Sequence, residues 1–152
     1  MDKNILILIL ILIFIFFGYH LFFNRSKTST INLNLNHHQY SLEIAKTIPQ
    51  QAKGLMGRTT LCPNCGMIFI FNLEIIQSFW MKNTLLPLDM IFLDHRGSII
   101  NITTAYPEPN IPDSQLKLYH STSPAKYVIE LNAGETQKIS LKPGDVIDIS
   151  PL

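Results

Sequence analysis

The stretch "SFWMKNTLLPLDMIF" (residues 78–92) sets two apolar, strand-like runs on either side of a turn, with the polar residues Lys82 and Asn83 just before it. Successive side chains of an extended chain point to opposite faces, so Trp80 and Lys82 share one face of the first run. The residues "TLLP" (84–87) then turn the chain, and Asp89 begins the second run. An antiparallel return would bring Asp89 close to Lys82. The stretch therefore predicts a strand pair in which polar side chains interrupt an apolar pattern.

Short strand-like runs continue on both sides of this stretch. They show the composition and alternation typical of half-buried strands, and turn sequences such as "KPGD" (142–145) separate them. Many short strands at this spacing predict a compact, mostly β single domain with a barrel-like or sandwich-like architecture. The runs cover residues 67–71, 75–81, 88–93, 98–105, 127–131, 137–141 and 145–150.

A hairpin and one short helix precede these runs. Residues 31–36 alternate Ile or Leu with Asn, and the alternation resumes at Tyr40, which predicts a β-hairpin. The segment "IPQQAKGLMGR" (48–58) breaks this period of two, and its early Pro and later Gly57 indicate a helix of about two turns. The proline-rich segment "YPEPNIPDSQ" (106–115) predicts a long loop.

The N-terminal region has the composition of a membrane span. Residues 5–23 contain no formally charged residue, and about 20 apolar residues cross a bilayer as a helix. A cleaved signal peptide is the alternative, but it has a shorter apolar core and a small-residue cleavage site, and no such site follows here. We therefore predict that residues 1–23 form a transmembrane anchor, residues 24–30 a polar tether and residues 31–152 the mostly β domain.

Two observations bear on the side of the membrane that carries the domain. Lys3 precedes the apolar span, and Arg25 and Lys27 follow it, so the count of Lys and Arg alone favours a cytoplasmic domain. The difference is a single residue, and a short N-terminal anchor commonly exports the domain behind it. We expect a single-pass membrane protein whose domain is extracytoplasmic.

The charge of the domain argues against one class of partner. Past residue 30 the chain has nine Lys and Arg and ten Asp and Glu, so its net charge is 9 − 10 = −1. Nucleic-acid-binding domains carry a basic patch or stripe, and no basic run occurs here. We therefore expect no nucleic-acid partner.

The polar residues of the opening stretch are the first candidates for a functional site. In one interpretation Lys82, Asn83 and Asp89 surround a ligand pocket walled by Trp80 and Phe79. In the other, Lys82 and Asp89 form a cross-strand ion pair covered by the Trp80 ring, which requires no ligand. Polar residues that break an apolar pattern cluster at functional sites, which keeps the first interpretation open.

Arg58 follows two glycines and allows two interpretations. Its guanidinium could bind a carboxylate or phosphate, or it could cap the short helix through the last carbonyl groups.

Cys62 and Cys65 are the only cysteines in the chain. They could form a disulfide in an extracytoplasmic domain, remain inert thiols, or do redox or metal chemistry. The histidines lack the spacing that would complete a zinc site, so we expect no metal and no cofactor.

Several motifs of the domain together resemble a known family. "GLMGR" (54–58), "GMIFIF" (66–71), "FWMKNTLLPLDMIFLD" (79–94), "YVIELNAGE" (127–135) and "KPGD" (142–145) occur in the order seen in the prokaryotic domain-of-unknown-function family 192. The resemblance covers about residues 31–150 and implies a compact, mostly β domain, often exported, without an assigned activity. Its pattern marks Gly54, Leu55, Met56, Arg58, Gly66, Met67, Phe79, Trp80, Met81, Lys82, Asn83, Thr84, Leu88 and Asp89.

These observations lead to three functional hypotheses. The preferred one is a binding module of the cell envelope that contacts a small ligand or a protein through Trp80, Lys82, Asn83 and Asp89, with Arg58 nearby. The second is an enzyme of hydrolase or transferase type in which Lys82 and Asp89 transfer protons. The third is thiol or metal chemistry at the two cysteines.

Overall fold

The computed structural model describes residues 13–14 and 29–152 of the chain. Apart from residues 13–14, the predicted transmembrane anchor therefore lies outside the described residues, as does most of the tether. Within the described part of the chain, no helix has both the length and the apolar character needed to cross a membrane.

Residues 29–152 form eight strands and three short helical elements. Two of these are α-helices and one is a 3-10 helix. In chain order they are β1 (Thr30–Leu35), β2 (His38–Ala45), α1 (Ile48–Lys53), β3 (Cys65–Ile75), β4 (Ser78–Phe79), β5 (Leu88–Leu93), β6 (Ile99–Ala105), the 3-10 helix (Asp113–Gln115), β7 (Tyr119–His120), β8 (Ala125–Asn132) and α2 (Glu135–Lys138).

Six strands form one mixed, open sheet. Their order is β1-β2-β3-β8-β5-β6, and β4 pairs separately with β7. All neighbours in the large sheet are antiparallel except β2 and β3. A parallel pair needs a crossover connection, and the segment that contains α1 supplies it. The predicted mostly β single domain is confirmed. The expected barrel or sandwich is wrong, because within residues 29–152 the sheet does not close and no second large sheet faces it.

Both faces of the sheet are buried. The first core joins the β1–β2 hairpin to residues of the C-terminal segment, and it contains Leu33, Leu35, Tyr40, Leu42, Ile68, Ile91, Leu93, Ile99, Ile129, Leu131, Ile139, Leu141 and Ile147. The second core lies on the opposite face beneath the connecting segments, and it contains Ala45, Leu55, Met67, Phe69, Met81, Leu86, Leu88, Met90, Phe92, Ala105, Tyr119, Ala125 and Val128. All six residues of β5 are consequently buried.

Helices and loops cover this sheet in place of additional strands. The segment 137–141, predicted as a strand, instead continues α2 and its C-terminal turn, and the segment 145–150 makes only an isolated bridge between Ser98 and Val146. Two short α-helices thus replace the one expected. Apolar alternation failed as a strand signal here because Ile139 and Ile147 reach the first core from irregular backbone.

Candidate functional site

Helix α1 begins and ends at defined caps. The Thr47 Oγ1 atom accepts a hydrogen bond from the Gln50 amide at 3.4 Å, and the Gln50 side chain accepts one from the Thr47 amide at 3.0 Å. Gly54 ends the helix with a φ of 45°, a conformation that favours glycine. A Cβ atom on Gly54 would lie 3.4 Å from Cζ of Phe69, so the end of α1 lies directly over β3. α1 and the turn after it thereby cover part of the second-core face.

A pocket of about 240 Å³ lies between this cover and the sheet. We call it the aromatic pocket, because four aromatic rings from β3 and the β4 region form its walls. Its lining residues are Gln51, Ala52, Lys53, Gly54, Leu55, Met56, Phe69, Phe71, Ser78, Phe79, Trp80, Thr84 and Glu130. Segments far apart in the sequence therefore meet at one concave site.

Edge-to-face packing fixes the inner aromatic wall. The ring centroid of Phe79 lies 4.9 Å from that of Phe69, 6.2 Å from that of Phe71 and 5.9 Å from that of Phe92. These T-shaped arrangements are the favoured geometry for aromatic pairs. Trp80, the next residue, is 45% exposed at the rim. The pocket thus has a fixed aromatic interior and an accessible indole at its edge.

Glu130 places a carboxyl group inside the aromatic pocket. It lies on β8 between Met67 of β3 and Met90 of β5, which are its partners in the sheet register, and it is only 5% exposed. Among the described residues its carboxylate has no hydrogen-bond or ion-pair partner, although every fully enclosed side-chain nitrogen or oxygen there has one. The Glu130 oxygens therefore border the open space of the pocket.

Burial among apolar side chains raises the pKa of Glu130 from 4.5 to about 8. The folded protein consequently holds this proton more tightly than the unfolded chain does. The free energy of unfolding must then fall as the pH rises from the unfolded pKa towards the folded one, because the unfolded chain loses its proton first.

Glu130→Gln should remove this dependence. We expect the variant to match the wild-type melting temperature near pH 5 and to exceed it above pH 8, by roughly 5 °C or more. Thermal unfolding followed by circular dichroism across this pH range measures the difference. Glu108→Gln, in the proline-rich loop, is the control and should follow the wild type. If the melting temperatures of the wild type and Glu130→Gln changed with pH in parallel, Glu130 would not be a buried carboxyl group without a partner.

The structure separates the residues of the sequence-predicted site. Phe79 and Trp80 line the aromatic pocket, whereas Lys82 and Asn83 line a neighbouring pocket of about 280 Å³ beneath the proline-rich loop. Lys82 forms an ion pair with Asp113 of that loop. Its Nζ also lies 5.6 Å from the centroid of the Trp80 ring, a cation–π distance. Lys82 therefore links the two pockets at the rim.

Asp89 lies elsewhere and organises backbone. It is fully buried on the face of β5 that carries the first core, and it accepts four hydrogen bonds. These come from Thr104 Oγ1 at 2.8 Å, the Gly134 amide at 2.9 Å, the Thr136 amide at 3.0 Å and Thr136 Oγ1 at 2.7 Å. The expected approach of Asp89 to Lys82 is wrong, because β4 pairs with β7 and not with β5.

Arg58 holds the cover of the pocket to β2, the second strand of the sheet. Its guanidinium donates two hydrogen bonds to the Glu43 carboxylate of β2, at 2.5 and 2.6 Å. This bidentate pairing raises the pKa of Arg58. Arg58 therefore binds a carboxylate of the domain itself, and among the described residues its guanidinium makes no hydrogen bond to the carbonyl groups at the end of α1.

Cys62 and Cys65 form a disulfide at the entry to β3, with a Cα–Cα distance of 5.2 Å. Asn132 of β8 donates to the Leu61 carbonyl oxygen at 3.2 Å and so ties this loop to the sheet. Among residues 13–14 and 29–152, no cluster of three or more His, Cys, Asp or Glu side chains could hold a metal ion.

Sequence reasoning passed over Glu130, the most unusual side chain of the pocket. In "YVIEL" (127–131) a Glu among alternating apolar residues is typical of a strand with one solvent-facing side. The neighbouring apolar residues offered a signal, since a nearly continuous apolar run indicates a strand buried on both faces. A lone carboxylate in such a run is a candidate for a buried functional group.

Comparison with protein families gives one match to most of the chain. The sequence model of DUF192, described as "Uncharacterized ACR", matches residues 30–149. A UPF0127 protein of Pyrococcus abyssi is 30% identical over 113 residues, which cover 70% of this chain and 84% of that protein.

Two solved structures share the fold. One, from Sinorhizobium meliloti 1021, has a name that proposes a transcription regulator. It is 32% identical with a TM-score of 0.74, and the match covers 85% of this chain and 100% of that chain. The other is a protein of unknown function from Novosphingobium aromaticivorans, 32% identical with a TM-score of 0.69, matched over 82% of this chain and 89% of that chain.

Proposed function

This chain belongs to the DUF192 family, and we propose that its domain is a small-ligand-binding module whose site is the aromatic pocket. The observation that carries this proposal is Glu130, a buried residue whose carboxyl group has no hydrogen-bond or ion-pair partner among the described residues and borders the aromatic pocket. A buried polar group that lacks a partner is costly, so such a group is kept where a ligand supplies the missing interaction.

The residues around Glu130 support the same function. Ligand pockets combine apolar and aromatic walls with a small number of polar groups that fix orientation. Phe69, Phe71 and Phe79 provide the walls here, and Trp80 stands at the rim. Six of the residues marked by the family resemblance line this pocket, namely Gly54, Leu55, Met56, Phe79, Trp80 and Thr84.

The remaining residues of the predicted site fit supporting roles. Lys82 is held between Asp113 and the Trp80 ring and shapes the rim. Asn83 adopts a left-handed φ of 51°, and its backbone carbonyl oxygen accepts a hydrogen bond from the Gly57 amide. Asp89 maintains the fold. Lys82 pairs with Asp113 and Asp89 accepts from Thr104, Gly134 and Thr136, so these contacts do not support proton transfer between Lys82 and Asp89, and the enzyme role stays a prediction.

The proposed location is the cell envelope, with residues 5–23 as the membrane anchor and the domain on the extracytoplasmic side. The uncharged apolar stretch in the sequence supports the anchor, and the Cys62–Cys65 disulfide is of the kind that persists in oxidising compartments. The regulator name of the Sinorhizobium neighbour is not carried over, because a net charge of −1 past residue 30 (9 − 10) is not the basic balance typical of nucleic-acid-binding domains.

Three probes of nearly equal shape test the pocket: choline, 3,3-dimethyl-1-butanol and 3,3-dimethylbutyrate, which are cationic, neutral and anionic. Trp80 is the only Trp in the chain, so its indole N–H resonance reports on the rim. We expect at least one probe to shift that resonance saturably in the full chain held in a maltoside detergent.

Ala52→Phe provides the decisive variant, because Ala52 lines the pocket and a ring there fills it without removing a core side chain. Binding should be lost in Ala52→Phe and kept in Val146→Phe, which adds a ring at an exposed position of the C-terminal segment. If none of the probes binds, or if Ala52→Phe binds as the wild type does, the aromatic pocket is not the site.

A further inference from the structure

We infer that the aromatic pocket selects a compact organic ammonium ion, held by the Glu130 carboxylate and the surrounding aromatic rings. This inference rests on the proposed function and specifies the chemistry of the ligand. It depends on the contrast between Glu130 and the other inward-facing carboxylates, on the nature of the walls, and on the size of the space.

Glu130 differs from the other enclosed or half-enclosed carboxylates of the domain. Asp89 receives four hydrogen bonds, Glu43 receives two from Arg58, and Glu135 accepts from the Tyr40 hydroxyl at 2.5 Å and from Lys138 at 3.1 Å. Within residues 29–152 Glu130 alone among these groups is buried without a donor or cation against it. The partner that this carboxylate lacks is a cation or a strong hydrogen-bond donor. Every organic ammonium ion supplies the positive charge, and those with hydrogen on the nitrogen also supply N–H groups.

The walls favour a cation over a neutral donor. Aromatic faces attract ammonium groups, and cages of several rings are the usual means of recognising alkylated amines. The Trp80 ring already takes part in one such contact, with Lys82 Nζ at 5.6 Å from its centroid, so cation–π recognition is present at the rim of the pocket. Phe71 and Phe79 line the same pocket as Glu130.

The other charged and titratable groups around the pocket lie at its rim or have partners of their own. From α1, Lys53 reaches the rim and is exposed; from the segment after β4, Lys82 is paired with Asp113; and His120 of β7 is hydrogen-bonded to Ser78 at 2.6 Å. The register neighbours of Glu130 on β3 and β5 are methionines. No cation of the described chain is thus placed to neutralise Glu130, whereas Lys53 and Lys82 at the mouth disfavour ligands with more than one positive charge.

The size of the pocket limits the ligand. A volume of about 240 Å³ corresponds to roughly eight water-sized groups at about 30 Å³ each, and it lies below the range typical of drug-sized ligands. The ligand, or the part of it that enters, is therefore of the size of an alkylammonium headgroup. Choline fits this limit, and 3,3-dimethyl-1-butanol differs from it only by carbon in place of the charged nitrogen.

Binding of the cation must be linked to release of a proton. Burial raises the pKa of Glu130 to about 8, so the free protein at neutral pH holds a proton that the ammonium ion displaces into solvent. Choline keeps its charge at every pH, so only the protein titrates. We expect the affinity for choline to rise roughly tenfold per pH unit up to about pH 8 and then to level off.

The experiment titrates the wild type and Glu130→Gln with choline, 3,3-dimethyl-1-butanol and 3,3-dimethylbutyrate from pH 6 to pH 9, with Trp80 as the reporter. At pH 8.5 choline should bind the wild type at least roughly tenfold more tightly than the neutral isostere. Glu130→Gln should lose that preference and the pH dependence while still binding the neutral isostere, which also shows that the variant is folded.

The possible failures are distinct. If the neutral or anionic probe binds the wild type as tightly as choline does, or more tightly, the inference is overturned but the proposed pocket stands. The same holds if Glu130→Gln leaves the affinity for choline unchanged. The absence of binding by all three probes overturns both proposals.

Discussion

Asp89→Ala should lower the free energy of unfolding by roughly 4 kcal/mol or more, because it removes the shared acceptor of a buried network. Asp89 Oδ2 accepts from the amides of Gly134 and Thr136 and from the Thr136 hydroxyl, and Oδ1 accepts from Thr104. Loss of the carboxylate leaves two backbone N–H groups without an acceptor at the start of α2. Urea unfolding at pH 7, followed by circular dichroism, measures the effect.

Asp89→Asn is the matched control for the role of charge. Its amide oxygen can take the place of Oδ2, and its NH₂ group can donate to the Thr104 hydroxyl, so the number of hydrogen bonds is preserved. We expect a smaller loss, of about 1–2 kcal/mol, because charge-assisted hydrogen bonds are replaced by neutral ones. A loss below about 1 kcal/mol for Asp89→Ala would contradict the structural role. Loss of ligand binding at unchanged stability would restore Asp89 as a contact residue, as the sequence suggested.

The opening stretch shows what the sequence could predict. Alternation placed strand β5 at residues 88–93, the bounds found in the structure, and it placed Asp89 on the same face as Ile91. Alternation could not show on which face of the sheet Lys82 would lie, because the position of Lys82 depends on which strand pairs with β4. That partner is β7, about 40 residues later, with Phe79 opposite Tyr119. Pairing between distant segments, and not local pattern, therefore separated the predicted site residues.

The same limit explains why Glu130 was missed. Its position on β8 follows from alternation, but its burial requires α1 and the following turn to cover that face of the sheet, and this cover comes from a segment roughly 80 residues earlier in the chain. Local sequence fixes the caps of α1 at Thr47 and Gly54 without fixing what lies beneath. Phe79 and Trp80 were recognisable because they stand beside Lys82 and Asn83, the polar residues that break the apolar pattern locally. Glu130 becomes unusual only in the folded domain.

Gly97→Ala is the second substitution expected to have a large effect. Gly97 has a φ of 81°, and a Cβ atom there would lie 2.2 Å from the carbonyl oxygen of Ile147. The Ile147 amide also donates to the Gly97 carbonyl oxygen at 2.9 Å, so this turn holds the C-terminal segment against the sheet. We expect the free energy of unfolding to fall by roughly 3–5 kcal/mol, from the left-handed conformation and from displacement of packed backbone.

Gly144→Ala isolates the steric part of this effect. Gly144 has a similar φ of 91°, but no heavy atom lies within 4 Å of the position that its Cβ would occupy. Its loss should therefore be limited to the conformational contribution of about 1–2 kcal/mol. Urea unfolding of both variants beside the wild type gives the difference directly. Equal losses in the free energy of unfolding would mean that the C-terminal segment moves aside freely. A larger loss for Gly97→Ala shows that Ile147 anchors this segment in the first core. The segment then completes the cover on the face of the sheet opposite the aromatic pocket.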